Sequence, residues 1–240
     1  FCSQMTDKLD DVPVVVDVLK RGFATGKTLR VSWRKQQLLK LKKMIVENMS
    51  ELKQALSTDL RHPDSLSGAN MYGMIGEIDT ILDNLDKWVK PQKKSTPLML
   101  KPASAYVHPE PLGVVLVIAP WNYPISLCLK PVFGAIAAGN AVLVKPSEVA
   151  PSCEKLLYEL LNDPKYVDPE VIRVLTGGVK KSTEILKQKF DLIFFTGGTS
   201  VGKIVMKAAA EHLTPVVLEL GGKAPTIVHS DCDIKVSARR

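Results

Sequence analysis

Apolar residues recur at two different spacings along this chain, and the spacing changes near residue 113. Before that point the steps are three and four residues long. Leu38, Leu41, Ile45, Met49, Leu52 and Leu56 mark one face of a helix, and Met71, Ile75, Ile78, Leu82, Leu85 and Val89 mark a second. The segment 62–68 (HPDSLSG) separates the two, and Pro91 ends the latter. Beyond residue 113 the apolar residues gather in short aliphatic and β-branched runs at 114–119, 141–144, 171–175, 192–195 and 216–218. Helical patterns fill the gaps at 125–138, 151–161, 182–189 and 200–212. This alternation predicts an α/β fold: βαβ units building a doubly wound, mostly parallel, Rossmann-like sheet, preceded by N-terminal helices. Between the two regimes, Pro102, Pro109 and Pro111 suit extended edge strands over 98–111, of the kind that join a partner's sheet. A further strand is expected at 225–228, followed by a polar loop at 229–233.

Composition changes this picture little. A chain of 240 residues that is 45% hydrophobic and 24% charged has room for one large α/β domain or one domain and part of another. The net charge of +7 is dispersed, with 25 acidic residues interleaved among 32 basic ones and no basic tail, so no nucleic-acid partner is expected. Arg30, Arg34, Lys35, Lys40, Lys42 and Lys43 read as a solvated helix face, as do Asn84, Asp86 and Lys87 on the next helix. No apolar run approaches the ~18 residues of a membrane span. No signal-peptide pattern is expected from the opening residues, although the chain starts at Phe1 and not at Met. Cys2, Cys128, Cys153 and Cys232 are far apart and contain no C-x-x-C pair, and the four histidines are equally scattered. The expectation is a reducing, cytoplasmic setting and no metal site.

Ligands of a parallel sheet collect at the C-terminal ends of its strands. In chain order those ends read Pro120-Trp121-Asn122, Lys145-Pro146-Ser147-Glu148, Thr176-Gly177-Gly178, Thr196-Gly197-Gly198-Thr199-Ser200-Val201-Gly202 and Glu219-Leu220-Gly221-Gly222. The fourth is a glycine turn between a strand and a helix, where bare N–H groups and the helix dipole favour an anion such as a nucleotide phosphate. Three readings of it stay open. It matches the dinucleotide fingerprint except that Thr199 replaces the middle glycine, and it matches the phosphate loop except that Ile204 replaces the magnesium-binding hydroxyl. The third reading is a tight connection with no ligand.

Taken together, these segments resemble the N-terminal part of an aldehyde dehydrogenase, most of all the class 3 type. The matching motifs are Ala119-Pro120-Trp121-Asn122-Tyr123-Pro124, Ala137-Ala138-Gly139-Asn140-Ala141, Val144-Lys145-Pro146-Ser147-Glu148, Val174-Leu175-Thr176-Gly177-Gly178, Phe195 through Lys203, and Leu218-Glu219-Leu220-Gly221-Gly222-Lys223. Six motifs in family order are far more specific than any one of them.

The resemblance implies oxidation of an aldehyde to a carboxylic acid. A cysteine thiolate adds to the carbonyl, the tetrahedral oxyanion expels hydride to a nicotinamide, and water hydrolyses the thioester. Asn122 would be the oxyanion donor. Glu219 would be the general base, and its place between Leu218 and Leu220 leads one to expect partial desolvation, which readies a carboxylate for proton transfer. Lys145 and Glu148 would hold the adenosine ribose. The remaining implied cofactor contacts are Trp121, Ser147, Gly178, Thr196, Gly197, Gly198, Thr199, Gly202, Leu220 and Gly221, with Gly198 standing where the family commonly has Ser. NAD is the expected cofactor because Glu148 would repel a 2′-phosphate, and NADP is the second candidate.

In domain terms the resemblance implies a cofactor domain over 1–223, made of a helical lead-in (1–97), edge or oligomerisation strands (98–112) and the sheet core (113–223). Residues 224–240 would begin a catalytic domain. The family's nucleophilic Cys follows the LELGGK motif by a few tens of residues, and Cys232 is too near Glu219 to be it. The chain is therefore expected to be a catalytically incomplete fragment of a homodimeric enzyme, with any microsomal membrane anchor outside it. The rival reading is a nucleotide-binding or scaffolding protein that kept the fold without the chemistry.

Overall fold

The computed structural model describes residues 11–238. Four helices lead in: α1 (Val12–Ala24), α2 (Val31–Glu47), α3 (Met49–Leu60) and α4 (Asp64–Trp88). The single helix expected through Leu38 to Leu56 is in fact two, because Asn48 leaves helical geometry at φ −113° and ψ 26°. Its side-chain amide donates back to Met44 O at 2.8 Å and on to Tyr166 Oη at 3.1 Å, which fixes the break to the sheet domain. The apolar face survives it, since Leu38, Leu41, Ile45, Leu52 and Leu56 are all buried. The break expected over 62–68 is shorter than the turn residues suggested. Helix α4 starts at Asp64, and Ser67 and Gly68 are buried within it.

The basic face of α2 divides in two. Lys35 pairs with Asp86 and Lys42 with Asp79, both at 2.6 Å, as a solvated face should. Arg34 departs from that expectation. It is 7% exposed and donates to Thr28 O (2.7 Å), Leu29 O (3.2 Å) and Ala137 O (3.1 Å). A planar fork of donors can serve several carbonyls at once, so the charge ties the lead-in to the core.

Strands β1 (Gln92–Lys94) and β2 (Ala105–Val107) form an exposed antiparallel pair. The first falls inside the stretch expected to be helical lead-in. Leu98–Leu100, expected to be extended, is a 3₁₀ turn closed by Leu100 N–H donating to Pro97 O at 3.0 Å.

The central sheet contains β3 (Val114–Ile118), β4 (Ala141–Lys145), β5 (Ile172–Val174), β6 (Leu192–Gly197) and β7 (Val216–Leu220). Their order is β5-β4-β3-β6-β7 and every pairing is parallel. The chain winds outward from β3 in one direction and then returns to wind in the other, which is the doubly wound topology expected. The crossovers run through α5 (Ser126–Ala138), α6 (Pro151–Leu161), α7 (Val179–Leu186) and α8 (Thr199–Ala210). Helix α7 begins three residues before the expected 182–189 and ends at Leu186, and its exposed start at Val179 carries no buried residue that would mark it in the sequence.

The start of β3 is clamped from both sides. Gly113 N–H donates to Asn140 Oδ1 at 3.0 Å and Val114 N–H to Asp191 Oδ2 at 2.8 Å. A Cβ at Gly113, where φ is +138°, would collide with the Asp191 carboxylate, so only glycine lets that acid close on the strand.

No strand forms at 225–228. With no described strand beside it and no N–H on Pro225, the segment after β7 stays exposed and irregular as far as α9 (Ile234–Ser237), whose first turn is capped by Asp233. Among the described residues no helix is long and apolar enough to cross a membrane.

Candidate functional site

Because all five strands run the same way, the five polar segments named above emerge at one edge of the sheet. They form two groups. The first lies between β4 and β5. Lys145, the last residue of β4, is 2% exposed, and its Nζ donates to Pro146 O and to Glu148 Oε2 at 3.0 Å. Burial tends to raise the Glu148 carboxyl. That tendency is outweighed by its own backbone N–H and the Lys145 ammonium, which hold it below the usual carboxylate range. A Cβ on Gly178 would sit 3.8 Å from Glu148 Oε1, so the ends of β4 and β5 share one cleft.

Sequence reasoning missed a member of this group. Glu154, in the first turn of α6, accepts the Gly177 N–H at 3.0 Å and lies 3.8 Å from Lys145 Nζ, with its side chain only 14% exposed. Its signal in the sequence was faint, because a lone acid in a first turn reads as a favourable dipole contact and nothing more.

The second group lies between β6 and β7. Thr196 and Glu219 are register partners, as are Gly197 and Leu220. Gly198 precedes α8 and supplies no side-chain cap, so the first-turn N–H groups of Thr199, Ser200 and Val201 have no side-chain acceptor. Gly202 packs α8 against the strands, since a Cβ there would lie 2.7 Å from a Leu220 methyl. This is a donor set and a close approach that fit a nucleotide phosphate.

Two expected residues stand apart from both groups. Trp121 and Asn122 follow β3 on an exposed turn, and Asn122 makes no hydrogen bond to another described residue. Glu219 is exposed and not buried as expected, because β7 is the edge strand and no described residue covers the face from which it projects. That face is an open, mainly apolar trough of about 900 Å³, with Val115, Leu127, Pro131 and Phe194 along it and Thr196 and Glu219 at one end.

Neither buried cysteine can serve as a nucleophile here. Burial pushes the Cys128 thiol up to about 12, against a smaller opposing pull from Lys145. Burial and the Asp59 carboxylate push Cys153 higher still. Cys232 is partly exposed in the segment before α9, and Cys2 lies outside the described residues. No group of three or more His, Cys, Asp or Glu suited to a metal occurs among the described residues.

The aldehyde dehydrogenase family model matches residues 2–240. The chain belongs to the aldehyde dehydrogenase family. It is 47% identical over 225 residues to aldehyde dehydrogenase family 3 member A2 of Pongo abelii, covering 92% of this chain and 46% of that protein. It is 44% identical over 233 residues to the dimeric, NADP-preferring aldehyde dehydrogenase of Mus musculus, covering 97% and 51%. Among solved structures, Staphylococcus aureus AldH in its substrate-bound state superimposes with a TM-score of 0.85 at 40% identity, covering 94% of this chain and 49% of that one. The chain thus spans about half the length of the aldehyde dehydrogenases it matches.

Proposed function

We propose that this chain is the cofactor-binding part of an NAD(P)-dependent aldehyde dehydrogenase that oxidises aldehydes to carboxylic acids. In this reading residues 1–223 form the cofactor domain and 224–240 begin the catalytic one. The observation that carries it is the pairing of buried Lys145 with Glu148 at the end of β4, on the same edge of the sheet as helix α8, whose first turn lacks a side-chain cap. A donor and an acceptor side by side suit the vicinal hydroxyls of an adenosine ribose, and uncapped N–H groups suit its phosphates. Trp121, Ser147, Gly178, Thr196, Leu220 and Gly221 border the same edge and complete the proposed contacts. A bound nicotinamide would supply hydride acceptance.

The chain's own residues would do the rest. Asn122 would donate its amide N–H to the oxyanion, a role that acts on the transition state more than on ground-state binding. Glu219 would take a proton from the thiol or from water. The thiolate would come from the remainder of the polypeptide, seated over the trough that now leaves Glu219 exposed. The exposed strand pair and the turn between its strands, with Leu98 at 81% and Met99 at 96% exposure, suit a homodimer contact in the full-length enzyme, and one relative is itself described as dimeric. A cytoplasmic location fits this reading.

The test is to titrate NAD against the protein and against Lys145→Ala, with turnover followed in the same samples. Loss of a charge-assisted hydrogen bond should weaken NAD binding by ~1.5–3 kcal/mol. The 240-residue chain should bind without oxidising aldehydes. Unchanged affinity in Lys145→Ala would remove the β4 cleft from the site. Turnover abolished by Cys232→Ser would show that the chain carries its own nucleophile.

A further inference from the structure

Glu154 sits outside every motif discussed above, yet it touches both sides of the β4/β5 cleft. Its Oε1 accepts the Gly177 N–H at 3.0 Å and faces Lys145 Nζ at 3.8 Å. One carboxylate thereby joins the loop after β5 to the cation at the end of β4. The Lys145 ammonium already has two closer acceptors, Pro146 O and Glu148 Oε2. Glu154 is therefore not needed to neutralise it. Two carboxylates around one ammonium leave the cleft with a net negative charge. Lys181, whose side chain lies beside Gly177, is paired with Glu184 at 3.4 Å. With its side chain only 14% exposed, Glu154 is screened by water far less than a surface acid would be.

A neutral ribose 2′-hydroxyl and a 2′-phosphate place very different demands on such a cleft. The hydroxyl needs one donor and one acceptor, which Lys145 and Glu148 supply. The phosphate brings nearly two negative charges and needs an excess of cations, of which the cleft has none. We infer that Glu154 is a positioning and specificity residue that holds the Gly177 loop and Lys145 in place and biases the site toward a nucleotide with a free 2′-hydroxyl over its 2′-phosphorylated counterpart. This rests on the β4 cleft being the ribose site.

The experiment measures dissociation constants for NAD and NADP, and for 5′-AMP and 2′,5′-ADP as probes without nicotinamide. The proteins are the intact polypeptide, Glu154→Gln and Glu154→Ala, each checked for folding by circular dichroism. Glu154→Gln keeps an oxygen for the Gly177 N–H and removes the charge. It should tighten NADP and 2′,5′-ADP roughly 5- to 10-fold and leave NAD and 5′-AMP within about 2-fold. Glu154→Ala also loses the Gly177 contact and should weaken NAD several-fold. Added salt should raise NADP affinity relative to NAD in the unmodified protein, because it screens a repulsion. That measurement stands even if neither variant folds. Equal changes for both nucleotides in Glu154→Gln, no change for either, or a ratio that falls with salt would overturn the inference while leaving the ribose site in place. A protein that binds none of the four ligands, or binds NAD independently of Lys145, would overturn the ribose site itself.

Discussion

On the β5–β4–β3 side of the sheet all five residues of β4 and four of the five in β3 are buried, whereas in β7 none is buried and three are exposed. The strand sequences hardly differ in character: AVLVK and VVLVI on one side, VVLEL on the other. What differs is cover. The β4 half is covered directly by α1 and α5, with α6 against β5, and α2, α3 and α4 pack on α5 and α6 in turn. The β6–β7 half has α8 on one face and the open trough on the other. Stability should therefore be concentrated in the covered half, while the groups proposed for chemistry lie where cover ends.

The sharpest test removes the tie between the lead-in and the covered half. Arg34→Met should leave three carbonyls without their donor and cost about 2–4 kcal/mol in urea unfolding, the largest loss among the variants considered. A loss within experimental error would mean the lead-in is held by apolar contacts alone. Next, the same truncation can be made in each half. Val144→Ala, at a fully buried site, should cost about 2–3 kcal/mol, and Val217→Ala, at a site 37% exposed, less than about 1 kcal/mol. Equal costs would erase the contrast between the halves.

A more modest effect than the loss of Arg34 or Val144 concerns Asp59, which accepts the Ser152 and Cys153 N–H groups at 3.2 and 2.9 Å and so caps α6 from α3. Burial raises its carboxyl, but these N–H groups outweigh burial and hold it below the usual value. A depressed folded-state value adds stability above the unfolded-state value of about 3.9, and that contribution is lost as pH falls through the folded-state value. Asp59→Ala should cost roughly 1–2 kcal/mol at neutral pH, with the difference from the unmodified protein shrinking below about pH 4. A difference that does not depend on pH would assign the effect to packing and not to the cap.

Much of this architecture was legible in the chain. The five strands emerged because strands buried on both faces, or on one and a half, need unbroken aliphatic runs, and β6 and β7 carry such runs even though they lack full cover. Helix limits were readable where a proline opened the helix, as at Pro151, and not where a helix is mostly exposed, as in α7. The break at Asn48 was hidden because its cause is tertiary: a hydrogen bond to Tyr166, more than a hundred residues away. The strand expected at 225–228 failed for the opposite reason, since a run of β-formers needs a neighbour to pair with. At the site, Lys145 and Glu148 were legible because they follow a strand directly. The burial expected for Glu219 was not found, because flanking leucines say nothing about what lies across the sheet. Glu154 could be found only by folding the chain, since its partners lie at the end of β4 and in the loop after β5.

The clamp at the start of β3 works as a vernier for the opposite edge of the sheet. Ile118 and Lys145 are aligned because Val114 and Ala141 are aligned, and that alignment is set where Gly113 N–H donates to Asn140 Oδ1 and Ala141 N–H donates to Gly113 O, both at 3.0 Å. A slip of one residue between β3 and β4 would turn Lys145 to the other face of the sheet and shift it by more than 3 Å. Two hydrogen bonds at the far end of the strands thus decide which side chain meets the ligand.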